Sequence, residues 1–192
     1  MLIGCGLSAP PAQAGYVVTL TQVGPDVVAT GSGTIDLTGL SIVREGVIAF
    51  AAVAPIGGLI ITGPTSATAV DDYTGFTGPA NFGSGGLTGA STGSGGSVVM
   101  DGFDNLLAVP SGYMSGGSLS DSATYGNQTF ATLGATPGVY TWTWGSAATD
   151  DSFTLDIPAA AVPEPSSLLL LALPLGLVML LAARPRRAAR IA

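Results

Sequence analysis

The sequences GVYTWTW at 138–144 and SFTLDI at 152–157 decide the fold of this chain. In both, large aromatic or aliphatic side chains occupy every second position, as they do on the buried face of a β-strand. Pro137-Gly138 favours a type II turn at the entrance to the first stretch. We predict two strands whose tryptophans lie in the core and not on a ligand-binding surface. The inward-facing residues are Tyr140, Trp142, Trp144, Phe153, Leu155 and Ile157.

Similar short stretches run through the rest of the body, separated by Gly, Pro, Asp and Ser at intervals of about eight to twelve residues. Many short strands with frequent turns predict an all-β fold, an antiparallel and jelly-roll-like β-sandwich. The glycine-rich sequence GSGGLTGASTGSGG at 83–96 is predicted to be a flexible loop. Further strands are predicted at 16–23, 27–30, 33–37, 47–53, 59–62, 67–72, 97–100, 106–109 and 128–133.

Composition excludes most enzyme chemistry. The 192 residues include 29 glycines and one cysteine, Cys5, but neither histidine nor lysine, and only 9% of them are charged. A Ser-His-Asp triad, a Schiff-base lysine and a histidine-ligated zinc are therefore impossible. Glycosidase chemistry needs only two opposed carboxylates, but no motif selects such a pair. We predict no catalytic residues and a protein that is not an enzyme.

The charges are strongly segregated along the chain. Residues 15–161 contain eleven acidic side chains and a single base, Arg44, which gives a net charge of −10. A body this acidic repels phosphate backbones, so we predict no nucleic-acid partner. The other four arginines lie in the last nine positions, directly after an apolar stretch.

That stretch, LLLLALPLGLVMLLAA at 168–183, has no charged or hydrogen-bonding side chain. As a helix it would extend about 24 Å, against about 30 Å for the hydrocarbon core of a membrane. We predict a single C-terminal transmembrane helix over 167–183 and an Arg-rich cytoplasmic tail over 184–192. A buried core helix is the alternative, but it would have no polar face. The anchor residues include Leu168, Leu171, Pro174, Leu177 and Leu181, and the stop-transfer residues are Arg184, Arg186 and Arg187.

Directly before the span lies the sequence Val162-Pro163-Glu164-Pro165-Ser166. Its prolines hold the backbone extended, so taken alone it could be a stiff linker. The order of Pro-Glu-Pro, a short apolar helix and terminal arginines over 162–190 resembles the PEP-CTERM sorting signal of Gram-negative bacteria. The block Val109–Gly145 is also similar to segments that precede the signal in other PEP-CTERM proteins.

The resemblance implies a processing route. In that family an exosortase, a membrane-embedded transpeptidase, recognises Pro-Glu-Pro and removes the tail; here the motif is Pro163, Glu164 and Pro165 within 162–166. The substrates are exported across the inner membrane and anchored transiently in its lipid, with the C-terminus cytoplasmic. They finally reach the cell surface or the extracellular matrix, often where exopolysaccharide is made. We therefore expect residues 162–192 to be a sorting signal.

An export signal is expected at the other end of the chain. Ala12-Gln13-Ala14 before Gly15 has the small-x-small pattern of a signal-peptide cleavage site. Cleavage there would remove residues 1–14 and leave a body without cysteine, residues 15–161. The preceding residues lack a positively charged start, so we interpret them as the remainder of a longer signal peptide. An uncleaved terminus and a lipobox ending at Cys5 stay open as alternatives.

One segment suggests a metal site. Asp101-Gly102-Phe103-Asp104-Asn105 brings three oxygen-bearing side chains together, and Ca²⁺ takes about six to eight oxygen ligands. No EF-hand pattern is present, and aspartates in turns commonly accept hydrogen bonds from backbone amides instead. Asp101 and Asp104 are the candidate Ca²⁺ ligands, and no other cofactor is predicted.

The leading hypothesis is an exported, non-catalytic surface or matrix protein that is sorted through its C-terminus and linked to exopolysaccharide or biofilm. The alternative is a carbohydrate-binding β-sandwich, with Ca²⁺ as a candidate aid, that uses exposed aromatic residues such as Tyr73, Tyr113 or Tyr125. A third hypothesis, a hydrolase, requires a carboxylate pair about 5–9.5 Å apart across a groove.

Overall fold

A computed structural model describes residues 15–146 and 149–159. They belong to the first of two units into which the chain divides, residues 1–160 and 161–192. The described part contains a 3-10 turn at Pro55–Gly57, one helix, α1 (Phe130–Leu133), and thirteen strands. The strands are β1 (Gly15–Val23), β2 (Asp26–Thr34), β3 (Ser41–Ile48), β4 (Ala52–Ala54), β5 (Leu59–Thr62), β6 (Thr68–Thr74), β7 (Thr88–Gly89), β8 (Thr92–Gly95), β9 (Val98–Asp101), β10 (Leu106–Pro110), β11 (Ser118–Tyr125), β12 (Gly138–Trp144) and β13 (Asp151–Ile157).

The strands form two sheets, which confirms the predicted all-β fold. The first sheet has the strand order β12-β13-β1-β2-β11-β8, and the second has the order β3-β6-β10-β9-β5-β4-β7. Buried side chains from both sheets form one hydrophobic core, because alternate residues of each strand point to the same face. Its large members include Tyr16, Trp142 and Phe153 from the first sheet and Ile60, Met100 and Leu107 from the second.

β12 and β13 form the antiparallel pair at one end of the first sheet, with a register that runs from Gly138↔Ile157 to Trp144↔Asp151. Trp142 is 0% exposed and Trp144 is 4% exposed. The Trp142 ring meets the Phe153 ring edge-on, at 5.7 Å between centroids and 75° between planes, a favourable aromatic geometry. The prediction that both tryptophans are core residues is confirmed.

One strand pairing departs from the predicted antiparallel arrangement. β13 lies parallel to β1, with Gly15 opposite Ser152 and Thr19 opposite Asp156, whereas the other described pairings between strands are antiparallel. Parallel neighbours need a long connection between them, and here almost the whole described body lies between the two strands. As a result, the first and last strands of the body are side by side.

One predicted strand, over 128–133, is wrong, because this segment contains α1. The Thr129 hydroxyl accepts a hydrogen bond from the Thr132 N–H at 3.1 Å. In return, the Thr132 hydroxyl accepts one from the Thr129 N–H at 2.8 Å. This reciprocal capping box starts a helix, and Gly134, at φ 64°, ends it. Phe130 and Leu133, three positions apart, then both reach the core.

Several strand boundaries also differ from the sequence prediction. The strands predicted at 27–30 and 33–37 are largely one strand, β2, and the strand predicted at 47–53 is divided between β3 and β4. No prediction covers β11, because SLSDSATY has few apolar residues. The glycine-rich segment at 83–96 is not only a loop as predicted, because it contains β7 and β8. Glycine is needed at position 95 of β8, where a Cβ would lie 2.2 Å from the Ser120 carbonyl oxygen of β11.

Candidate functional site

A polar cleft of about 590 Å³ opens where β12 leads into β13. Its lining comes from three parts of the chain: the loop after β2, the segment after β6, and the residues that join β12 to β13. A concave site in which polar groups converge from separate loops is a candidate binding site. The lining residues are Thr38, Gly39, Gly75, Thr77, Thr143, Trp144, Gly145, Ser146, Thr149, Asp150 and Asp151.

Two glycines allow the loops of the cleft to approach each other. A Cβ at Gly39 would lie 2.9 Å from the Gly145 Cα, closer than real contacts permit. Gly39 has φ 92° and Gly145 has φ 86°, a region that residues with side chains rarely adopt. The cleft therefore has a wall of bare backbone where the loop after β2 meets the end of β12.

Backbone and indole hydrogen bonds fix the position of this wall. Thr77 and Thr143 form an isolated bridge, with N–H···O distances of 2.9 Å and 2.8 Å in the two directions. The Trp144 indole N–H donates to the Asp36 carbonyl oxygen at 2.6 Å. The end of β12 is thus hydrogen-bonded to the loop after β2 and to the segment after β6.

Asp151 is a buried residue of the cleft lining. Its side chain is 2% exposed; Oδ2 accepts from the Asp36 N–H at 2.5 Å and Oδ1 from the Ser152 N–H at 2.7 Å. Burial raises the pKa of Asp151, and these hydrogen bonds oppose it with a smaller effect. In contrast, hydrogen bonds from Thr38 and Ser115 lower the pKa of Asp36. The two neighbouring aspartates therefore have pKa values shifted in opposite directions.

The two carboxylates that line the cleft, Asp150 and Asp151, both come from the residues that join β12 to β13, and the other two lining segments contribute none. Asp36 is not one of the lining residues. Because a hydrolase of this kind needs two opposed carboxylates, the cleft supplies hydrogen-bond acceptors for a bound molecule but not an evident acid–base pair.

The candidate calcium ligands lie in the turn between β9 and β10. Asp101 Oδ1 accepts hydrogen bonds from the N–H groups of Phe103 at 3.1 Å and Asp104 at 3.0 Å, so it caps the turn. In the parts of the chain that the structure describes, no three acidic, histidine or cysteine side chains are grouped as metal ligands would be. A Ca²⁺ site at Asp101 and Asp104 stays a prediction.

The three tyrosines predicted to be exposed differ in their surroundings. Tyr73 and Tyr113 are half-buried, and the Tyr113 hydroxyl donates to the Gly117 carbonyl at 2.5 Å. The prediction is wrong for Tyr125, which is 0% exposed. Its position on β11 places it on the same face as the buried Ala123, between the two sheets. None of the three lines the cleft.

The predicted processing residues lie outside the described residues, with the exception of Gly15, the first residue of β1. Among residues 15–146 and 149–159, no helix is long and apolar enough to cross a membrane. The sites that lie outside are Cys5, Ala12, Ala14, Pro163, Glu164, Pro165, the span at 167–183 with Leu168, Leu171, Pro174, Leu177 and Leu181, and the tail with Arg184, Arg186 and Arg187.

The cleft itself was not predicted from the sequence. Thr38, Thr77 and Thr143 belong to no motif, and threonine is common throughout the chain. The sequence feature that comes closest to predicting the cleft is the pair Asp150-Asp151, which follows the aromatic strand. This pair indicates a polar turn but does not indicate a cavity. Thr77 and Thr143 come together through an isolated bridge between segments that are far apart in the chain.

The comparisons with known proteins found no match to this chain. The chain matches no family model, and neither a curated protein nor a solved structure is similar to it. The fold and site therefore define only a class: a two-sheet all-β body with a hydroxyl-rich acidic cleft.

Proposed function

We propose that this chain is an exported, non-catalytic surface or extracellular-matrix protein that is sorted and processed through residues 162–192. The order of Pro163-Glu164-Pro165, the apolar stretch and the terminal arginines carries the proposal. An exosortase-type membrane transpeptidase is the implied partner, with the inner membrane as the transient anchoring site. Within this proposal the ectodomain is a jelly-roll-like sandwich.

The described body is compatible with export. Every described strand lies after the predicted cleavage site, so removal of residues 1–14 would take none of them away. β13 ends at Ile157, so removal of the residues that follow Pro163 would likewise leave every described strand in the mature chain.

The test is the intact mass of the protein recovered from its native host. We expect a mature chain that begins at Gly15 and ends within 163–166. Glu164→Ala should retain its tail and stay in the membrane fraction, whereas Pro158→Ala, a proline outside the motif, should be processed normally. If all three proteins keep the full C-terminus, the apolar stretch is a permanent anchor and the sorting proposal fails.

The cleft favours carbohydrate binding as a second candidate function. Thr38, Thr77, Thr143 and Ser146 are exposed and line the cleft, and a hydroxyl group both donates and accepts hydrogen bonds. Sugar hydroxyls have the same capacity, and about 590 Å³ is a suitable volume for a short saccharide. The net charge of −10 over residues 15–161 favours a neutral glycan over an acidic one.

A glycan array that carries neutral and acidic saccharides tests this second candidate. The double variant Thr77→Val and Thr143→Val removes two hydroxyl groups of the cleft and keeps the branched shape of both side chains. We expect it to lose at least about tenfold in affinity. Thr141→Val, on the same strand but outside the cleft, should bind like the wild type. Equal binding by all three proteins, or none by the wild type, would exclude the cleft as a glycan site.

A further inference from the structure

An acidic side chain is buried inside the core, in the first sheet. Asp121 of β11 is 4% exposed. Its partners across the sheet are Gly31 of β2 and Gly95 of β8. Tyr16 of β1 is fully buried, and its hydroxyl group donates a hydrogen bond to Asp121 Oδ2. The other carboxyl oxygen, Oδ1, is also buried and accepts no hydrogen bond from any described residue.

The neighbouring glycines enclose this pair tightly. A Cβ at Gly31 would lie 2.1 Å from the Tyr16 hydroxyl oxygen and 2.3 Å from Asp121 Oδ1. A Cβ at Gly95 would lie 2.6 Å from the Asp121 Cα. Both strands therefore carry glycine where any side chain would displace the pair, and their backbones pack directly against it.

No basic side chain of the body is available to neutralise Asp121. Arg44 is the one base between residues 15 and 159, and its Nε donates to Asp72 Oδ2 at 2.8 Å. Asp72 lies opposite Ala108, which belongs to a smaller apolar cluster separate from the main core. A buried carboxylate without a counter-charge is strongly disfavoured.

The elements packed against Asp121 bring one other ionisable group to it, Tyr16. β2 and β8 present glycine, and β5 presents Thr62, whose hydroxyl donates to the Val98 carbonyl at 3.4 Å. Burial raises the pKa of Asp121, and the nearby hydroxyls of Thr62 and Tyr16 lower it by less. Burial likewise raises the pKa of Tyr16, which stays a neutral donor.

We propose that Asp121 is held in the folded core as a neutral carboxylic acid, with its proton on Oδ1, so that folding of this body takes up one proton from solvent. The proton is assigned to Oδ1 because Oδ2 already accepts a hydrogen bond from Tyr16 and stays an acceptor. The protonated carboxyl group therefore stabilises the fold most at low pH, and this stabilisation decreases as the pH rises.

The direction of the effect follows from linkage. An unfolded aspartate loses its proton near about pH 3.9, whereas folded Asp121 holds its proton to a higher pH. The contribution is therefore complete below about pH 3.9 and is lost as the pH rises through the folded pKa. In that window the unfolding equilibrium constant should rise by up to about tenfold per pH unit for this one proton.

The experiment is denaturant unfolding of the full-length protein in a non-ionic detergent across this pH range, followed by near-ultraviolet circular dichroism. Asp121→Asn retains an oxygen that can accept from Tyr16 but cannot titrate. The rise of its unfolding equilibrium constant with pH should therefore be smaller than that of the wild type, by up to about tenfold per pH unit. Asp156→Asn removes one charge from β13 of the same sheet and should keep the wild-type dependence. If Asp121→Asn and the wild type show the same dependence, the proposal is overturned.

A spectroscopic measurement decides the matter if Asp121→Asn does not fold. Infrared spectra of the folded wild type should contain the C=O band of a protonated carboxyl group at a pH above about 3.9, where an unfolded aspartate is ionised. Tyr16→Phe removes the hydroxyl that donates to this carboxyl and should shift that band. The absence of a protonated carboxyl band at every pH above about 3.9, or a band that Tyr16→Phe leaves unchanged, would also overturn the proposal.

Discussion

The indole N–H of Trp144 donates to the backbone carbonyl of Asp36 at 2.6 Å, across a separation of 108 positions in the chain. Trp144 ends β12, the edge strand of the first sheet, while Asp36 follows β2, three strands away in that sheet. This one bond links the aromatic strand to the loop that forms a wall of the polar cleft. Trp144 therefore belongs both to the hydrophobic core and to the lining of the cleft.

Trp144→Phe should destabilise the protein, because it keeps an aromatic ring in the core but leaves the Asp36 carbonyl without its donor. We expect a loss of about 1–3 kcal/mol in the free energy of unfolding, measured by denaturant titration. Val139→Ala, on the same strand at 68% exposure, should stay within about 0.5 kcal/mol of the wild type. A Trp144→Phe protein as stable as that control would show that the bond is dispensable.

Gly39→Ala should also be destabilising, by about 1–3 kcal/mol. The new Cβ would lie 2.9 Å from the Gly145 Cα, and alanine is strained at φ 92°. Gly57→Ala is the matched control, since a Cβ there meets nothing within 4 Å and the φ at Gly57 is not positive. Thermal unfolding of both variants tests the close approach of the two loops; equal melting temperatures would contradict it.

Asp36 and Asp151 should titrate on opposite sides of the ordinary aspartate value of about 3.9. The pKa of Asp36 is lowered, so its contribution to stability is present above that value and is lost as the pH falls through the folded pKa. The pKa of Asp151 is raised, so its contribution is complete at low pH and is lost as the pH rises through the folded pKa.

Carbon-detected NMR titration of the two carboxyl groups measures both pKa values directly. Asp151→Asn should leave one titrating carboxyl of the pair, while the signal of Asp36 still titrates below the ordinary value. Titration of both groups at the same pH in the wild type would contradict the assignment of Asp151 as a buried acceptor and Asp36 as a loop cap.

Thr129→Ala should cost about 1 kcal/mol, because it removes the acceptor that starts α1. Helix α1 positions Phe130 and Leu133 in the core, so the loss should appear in the global free energy of unfolding. Thr136→Ala, at an exposed threonine outside the helix, is the control and should have little effect. If the two variants are equally stable, the capping box contributes nothing.

The sequence predicted the strands whose pattern is strongest. β12 and β13 were predicted with their buried faces because every second side chain is large and apolar. α1 was predicted as a strand because its four residues are too few for a helical period to show. The hydrogen bonds between Thr129 and Thr132 that start the helix are visible only in the structure. β11 was missed because its buried face includes Asp121, a residue that normally marks a surface.

The sequence by itself determined the all-β class, the acidic character of the body and the absence of histidine and lysine chemistry, since these depend on composition and on neighbours along the chain. Only the tertiary structure decided the cleft and the buried acid. Tyr16 and Asp121 are 105 positions apart, and Asp36 and Asp151 are 115 positions apart. Each pair meets through the pairing of distant strands, and the environment that shifts each pKa exists only once those strands are packed.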